Sequence, residues 1–378
     1  MTQPVRSRDL ILYFAKLGAT KFGGPIALTS AMQADLVDQR KWFTQETFQE
    51  GMVLSQLAPG PLATQLSIYF GWAHSGVKGA TLTGLAFVLP SFLMVVLLAM
   101  LYIRFGSMPL IQNLFHGIAP AVIAIICLGA HKLSRKNLGS APLLWTIAIF
   151  NAVITIATQS EIIWIFLLSG AVVPLLRLQR NGVSPMAILP VELISGMTSG
   201  LHGPATNKTL LSIFMFFLKS GAFVFGSGLA IVPFLHGGVV NDYHWLTEGQ
   251  FLDAVAIAMI TPGPVVITVG FIGFLIAGFA GALLAALGTF LPCYLFTVIP
   301  APHFAKISKH TVLKEFISGV TAAAIGAIGG AVVILAQKSI VDLPTIAIFA
   351  LTLPGLLFFK KVPEPLWILI AGIVGLLL

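Results

Sequence analysis

Ala58-Pro59-Gly60-Pro61 and Thr261-Pro262-Gly263-Pro264 each break an apolar run that otherwise reads as a membrane-spanning helix. Proline removes a backbone donor and clashes with the preceding turn, and glycine adds slack, so two prolines around a glycine end a helix. In hydrocarbon the freed backbone groups are tolerated only where protein or a water-filled cavity surrounds them. The same break occurs twice, 203 residues apart, which points to a transport site. Consecutive small residues interrupt two earlier runs, at Phe22-Gly23-Gly24-Pro25 and at Gly226-Ser227-Gly228. Half-helices ending there would turn free N–H groups and positive dipole ends toward an anion; the plain alternative is close helix packing through small residues.

Each glycine-broken run also carries a lysine upstream, Lys16 and Lys219. A lysine inside a membrane segment costs roughly 2.5–3.5 kcal/mol on insertion scales, so this pair is expected to line a cavity and face the anion. Snorkelling of Lys16 near the chain start is the bland reading. Gln56 and Thr261, with Ser55, Thr64, Gln65 and Thr268 nearby, add polar groups around the two PGP breaks. Glu50 aligns with Asp253. Such a carboxylate pair takes up protons or sodium and couples transport, or it only serves a helix start, as Glu46 and Glu248 do.

These groups sit in a chain of 378 residues of which 57% are hydrophobic and 9% charged, against roughly 25% charged in an ordinary soluble domain. The mean hydropathy is +0.97. This is an all-α polytopic membrane protein, and its partner is the lipid bilayer. The net charge of +8 does not indicate nucleic acid, because the basic residues punctuate short loops as topology signals do. Cys127 and Cys293 lie in apolar segments without metal or redox spacing. Arg6 and Arg8 precede an apolar run, but Lys16 and Lys21 interrupt it, so no cleaved signal peptide is expected.

An offset of 203 matches Phe14 with Phe217, Lys16 with Lys219, Gly18 with Gly221, Trp42 with Trp245 and Phe48 with Phe251. After one deletion, an offset of 202 matches Gly71 with Gly273, Gly76 with Gly278, Gly79 with Gly281 and Pro90 with Pro292. The chain is duplicated: an N-terminal membrane repeat over 1–180, a connecting segment over 181–210 and a C-terminal repeat over 211–378. Each repeat has about six hydrophobic segments, starting with the glycine-broken one (9–34, 212–238) and the PGP-broken one (47–73, 250–276). If all twelve cross, Lys and Arg divide ten against eight, which is no bias. If the first segment of each half is re-entrant and the rest cross, they divide twelve against six, which the positive-inside rule favours. Five crossings per half invert the second repeat, the plan of many secondary transporters. This arrangement leaves Arg6 and Arg8 on the poorer side.

No HExxH, GxSxG, Walker or dinucleotide signature stands in its required context, so neither an enzyme nor a cofactor is expected. Phe14-Ala15-Lys16-Leu17-Gly18-Ala19-Thr20-Lys21-Phe22-Gly23-Gly24-Pro25, then Arg40-Lys41-Trp42, then Gln56-Leu57-Ala58-Pro59-Gly60-Pro61, resemble the signature of the chromate ion transporter family, and Phe217–Gly226, Trp245-Leu246-Thr247 and Ile260–Pro264 repeat it. The whole chain is similar to the family's long, two-domain form. The resemblance implies a multi-pass protein of the bacterial inner membrane that exports chromate from the cytoplasm; two halves meeting at one midplane site and rocking against each other would give alternating access. The resemblance also implies chromate resistance, halves of opposite orientation, and sulfate as the chemically similar competitor. The second half departs from the pattern at Gly226-Ser227-Gly228, which lacks the proline, so the halves need not bind substrate equally. A carrier of sulfate or another oxyanion, a membrane-embedded enzyme and a homodimeric assembly stay open at this point.

Overall fold

The computed structural model describes residues 5–22, 24–159, 162–180, 207–224, 228, 231–304, 310–359 and 362–378. They form fourteen α-helices and, among the described residues, no strand. The first half comprises α1 (Ser7–Thr20), α2 (Pro25–Met32), α3 (Gln45–Leu57), α4 (Leu62–Phe105), α5 (Pro109–Leu138), α6 (Pro142–Thr158) and α7 (Ile163–Arg180). The second half comprises α8 (Asn207–Ala222), α9 (Ile231–His236), α10 (Glu248–Ile260), α11 (Thr268–Val298), α12 (Thr311–Ser339), α13 (Leu343–Phe358) and α14 (Glu364–Leu377).

Both broken segments of each half are hairpins. α1 ends at the Lys21–Gly24 break and α2 returns beside it, so that the Tyr13 hydroxyl donates to Asp35 at 3.2 Å. Trp42 closes this hairpin edge-on to Tyr13, with the Arg40 guanidinium 4.7 Å over its ring. In the second half the matching trio is Phe216, Tyr243 and Trp245, whose last two rings stack at 4.3 Å. α3 and α10 both start on a threonine cap, Thr44 and Thr247, which satisfies first-turn N–H groups. Each runs to its PGP break and meets the returning helix: Tyr69 on α4 donates to Glu50 on α3 at 2.8 Å.

A second reversal follows inside α4 and α11. Gly76 (φ +65°) and Gly278 (φ +59°) adopt left-handed backbone, which glycine takes without steric cost. The chain folds back on itself there. A side chain on Gly71 would lie 2.3 Å from the Gly79 carbonyl oxygen, and one on Gly273 2.4 Å from that of Gly281. The repeated glycines are therefore the contact between two antiparallel arms. The second arms, beginning at Val77 and Phe279, cross the bilayer. They run antiparallel to each other, since Thr81 bonds Tyr294 while Phe92 meets Phe279. Equivalent elements point in opposite directions, so the two repeats are inverted.

This corrects the segment assignment read from sequence. The PGP segments 47–73 and 250–276 do not cross; they return, as the glycine-broken segments do, because a positive-φ glycine between prolines reverses the chain rather than kinking it. Four helices of each half then run from face to face: the second arm of α4, α5, α6 and α7, and their counterparts. Spans centred on α4, α5, α11 and α12 are long and apolar enough to cross a membrane by themselves. The shorter ones lean on long helices of the other half. Gly326 of α12 packs on Ala148 of α6, Gly319 on Ser169 of α7, and Gly117 of α5 on Ala371 of α14. With four crossings the inversion no longer follows from an odd count. α7 ends and α8 begins at opposite faces, and residues 181–206 of the connecting segment lie outside the described residues.

The charge bias sharpens with this topology. Arg6, Arg8, Arg40, Lys41, Lys78, Lys132, Arg135, Lys136, Arg177, Arg180 and Lys314 mark one face among the described residues, against Arg104, Lys208 and Lys338 on the other. Eleven against three replaces twelve against six, and Arg6 and Arg8 join the richer face. The core lies where the halves interlock, around Phe92, Val122, Phe217, Phe251 and Phe271. Leu85, Leu89, Leu93 and Leu97 stay about half exposed on the outer side of α4, as a lipid-facing surface requires.

Candidate functional site: four hairpin tips at the centre

The tips of the four hairpins meet in the middle of the bundle in a reciprocal pattern. The Gly60 N–H donates to the Val224 carbonyl at 2.5 Å, and the Gly263 N–H donates to the Lys21 carbonyl at 3.0 Å. Each PGP tip thus holds the glycine-broken tip of the opposite half. Gly60 has φ +144° and Gly263 φ +103°, conformations that side-chain-bearing residues avoid. Space excludes them as well. A Cβ on Gly263 would stand 1.9 Å from the Ser91 Oγ, and one on Gly60 2.8 Å from the Gln65 Nε2. Ser91 is itself engaged, donating to the Gly18 carbonyl at 3.0 Å.

The other residues singled out by sequence divide into groups. Pro59, Gly60, Pro61, Thr261, Pro262, Gly263 and Pro264 form the two PGP tips, with the Thr261 hydroxyl bonded to the Ile257 carbonyl. Gly24 caps α2, and Pro25 occupies its first position. Gly228 packs near Val266. Gly23, Gly226 and Ser227 lie outside the described residues. Lys16, Lys219, Phe22 and Gln56 are exposed. Lys16 follows Leu12 on one outward stripe of α1, and Lys219 follows Leu211 and Met215 on the matching stripe of α8.

The carboxylates stand about halfway along their hairpin arms, one toward each face. Glu50 takes its hydrogen bond from Tyr69 of its own half, whereas Asp253 takes its bond, at 2.6 Å, from Tyr102 of the other half. Repeat symmetry explains the crossover. Position 271, equivalent to Tyr69, is Phe271, and it lies edge-on to Tyr102 at 5.5 Å; position 304, equivalent to Tyr102, is Phe304, beside Tyr69. Each site therefore has one tyrosine and one phenylalanine in exchanged places. Neither carboxylate has a cationic partner among the described residues.

Asp253 borders a cavity of about 790 Å³ that opens on the basic-poor face, with Tyr102, Gln112, His116, Trp245, Glu248 and Lys338 around it. At its edge Glu248 bridges Lys338 and the buried His236, the latter at 2.8 Å. The equivalent pair in the first half is neutral, Gln33 donating to Gln45 at 3.4 Å. The entrance to the basic-poor face is thus held by charges and its counterpart by amides. Sequence reasoning had no sign of Tyr69, Tyr102 or His236. Their partners are 19, 151 and 12 residues away, and none of the three has an identical residue in the other repeat.

Inverted hairpins, a central contact of tips and flanking acidic positions suit a membrane transporter, and comparison with known proteins gives the family. The sequence profile described as Chromate transporter matches residues 8–174 and 211–376, one match for each repeat. A chromate transport protein of Cupriavidus metallidurans is 52% identical over 374 residues, covering 98% of this chain and 92% of that protein. A probable chromate transport protein of Synechococcus elongatus is also 52% identical, over 98% of this chain and 95% of its own length. A chromate transport protein of Pseudomonas aeruginosa is 30% identical, over 98% and 92%. No solved structure matches the chain. The chain belongs to the chromate transporter family.

Proposed function

We propose that the protein exports chromate from the cytoplasm across a bacterial inner membrane by alternating access and so confers chromate resistance. The observation that carries this reading is the reciprocal pair of main-chain hydrogen bonds at the centre, Gly60 to Val224 and Gly263 to Lys21. A typical intramolecular hydrogen bond contributes about 0.5–1.5 kcal/mol net, so two of them allow one repeat to rock against the other. The basic-rich face is the cytoplasmic one, which makes the cavity beside Asp253 the exit. An anion leaving a negative-inside cell gains about 2.3 kcal/mol per 100 mV for each charge it carries, so the membrane potential favours export. Lys16 and Lys219 raise the positive potential along the hairpins, and Glu50 and Asp253 accept protons in turn on the two faces.

Purified protein in liposomes is expected to move radiolabelled chromate. Lys16→Ala and Lys219→Ala are each expected to lower the flux about tenfold or more, the loss of roughly one charge-assisted contact, while insertion stays normal. Wild-type flux in both variants would remove the lysines from the path. Strong sulfate flux without chromate flux would reassign the substrate to the related oxyanion.

A further inference from the structure

Among the described residues five buried side-chain polar atoms have no hydrogen-bond partner, and three of them border the first PGP break: Ser55 Oγ, Thr64 Oγ1 and Gln65 Oε1. The three residues are 0%, 1% and 0% exposed. A buried polar group left unpaired costs about 1–3 kcal/mol, so a cluster of them at one spot calls for a ligand. Several other core hydroxyls among the described residues are tied to carbonyls one turn back, as Thr261 is to Ile257, Thr289 to Ala285 and Thr297 to Cys293. Ser55 and Thr64 are not. The second half has nothing equivalent: Ala258 stands in the place of Ser55, and after its PGP come Val266, Ile267 and a Thr268 whose hydroxyl is taken by the Val265 carbonyl.

We propose that the first-half break is the contact site for the transported oxyanion, and that it takes the ion in its singly protonated form. This rests on the chromate reading above and refines it. The Gln65 amide is oriented by two carbonyls, its Nε2 donating to Ala58 O at 3.2 Å and to Pro59 O at 3.0 Å. The unpaired end is therefore an acceptor. A fully deprotonated oxyanion offers acceptors only and meets Gln65 Oε1 with repulsion. Hydrogen chromate brings one O–H for that oxygen and leaves its other oxygens to the Ser55 and Thr64 hydroxyls. The first turn of α4, which no side chain caps, adds N–H donors and the positive end of a helix dipole.

The same geometry separates chromate from sulfate. Chromate holds a proton in a substantial fraction of molecules near neutral pH, whereas sulfate is fully deprotonated there. A site built to bond a substrate hydroxyl rejects the analogue that lacks it, since its own buried group is then left unpaired.

The test is calorimetric titration of the full-length protein in detergent micelles with chromate, with sulfate as competitor. Wild type is expected to bind chromate more tightly at mildly acidic than at mildly alkaline pH and to ignore sulfate. Ser55→Ala and Thr64→Val are each expected to weaken chromate binding about tenfold. Gln65→Leu is expected to flatten the pH dependence and admit sulfate as a competitor. If wild type binds no chromate at all, the chromate reading fails. If it binds, but equally at both pH values and equally in Ser55→Ala and Thr64→Val, this inference alone fails. If sodium chloride, compared with potassium chloride, raises the melting temperature of wild type but not of Gln65→Leu, the oxygens hold a cation and the inference is overturned. Should Gln65→Leu not fold, the two hydroxyl variants decide.

Discussion

Gly263→Ala is expected to abolish chromate flux while the chain still inserts in the membrane. Two costs combine. The left-handed conformation at φ +103° penalises a side chain by about 1–2 kcal/mol. The added Cβ also meets Ser91 Oγ at 1.9 Å and Ser91 Cβ at 2.9 Å, and overpacking of this kind costs about 1–3 kcal/mol. The tip must then move, which strains its bond to the Lys21 carbonyl, a contact that joins the two halves. A flux loss of about a hundredfold or more corresponds to about 2.7 kcal/mol or more, within that combined range. Gly139→Ala is the control, since Gly139 also has positive φ but has open space around its Cβ position. It is expected to lower the melting temperature slightly and to leave flux unchanged. Adding Ser91→Gly to Gly263→Ala removes the overlap but not the conformational cost, so flux is expected to recover in part. Normal flux in Gly263→Ala would mean that the contact between tips is not part of the transport cycle.

The positions on which that argument turns were visible in the sequence, but their geometry was not. The register that pairs Gly60 with Gly263, Gly71 with Gly273 and Gly76 with Gly278 is a plain property of the chain. What it could not convey is direction. α3 and the first arm of α4 together span 47–73 as an apolar run of ordinary crossing length, and a kinked crossing helix and a tight hairpin have the same composition. The sign of φ at Gly60 and the return contact between Tyr69 and Glu50 decide between them. Inversion was legible only as a charge bias, and it came with the wrong crossing number. The tyrosine exchange between positions 69 and 102 was hidden for a different reason. Tyr69 serves the carboxylate of its own half and Tyr102 that of the other half, whereas comparing the halves shows only a Tyr facing a Phe twice and suggests drift. The lysines were the opposite case: type, spacing and repetition were all in the sequence, and the structure adds that Lys16 and Lys219 occupy exposed stripes rather than the interlocked core.

Asp253→Asn is expected to leave chromate binding intact and to remove the response of flux to a proton gradient. Asp253 receives one donor, the Tyr102 hydroxyl at 2.6 Å, and no cation; Lys338, the basic residue at its cavity, is committed to Glu248. A carboxylate half-sheltered from water and without a counter-charge favours its neutral form more than an exposed one does. The cavity of about 790 Å³ leaves room for a proton to reach it from the basic-poor face. Glu50, with Tyr69, has the same arrangement toward the basic-rich face, so under the proposed alternating cycle one carboxylate would be exposed at a time. In liposomes with an imposed pH gradient, wild-type chromate flux should change severalfold with the direction of the gradient. Asp253→Asn and Glu50→Gln should each show one rate irrespective of direction, because an amide carries no proton across the cycle. Tyr102→Phe removes only the hydrogen bond, worth about 1.5–3 kcal/mol to a charged partner. It should therefore keep the gradient response while shifting the pH at which it is half-maximal upward, since loss of a bond to the charged form favours protonation. Gradient-driven flux that survives in Asp253→Asn would reduce the acid to a structural partner of Tyr102 and leave the membrane potential as the driving force.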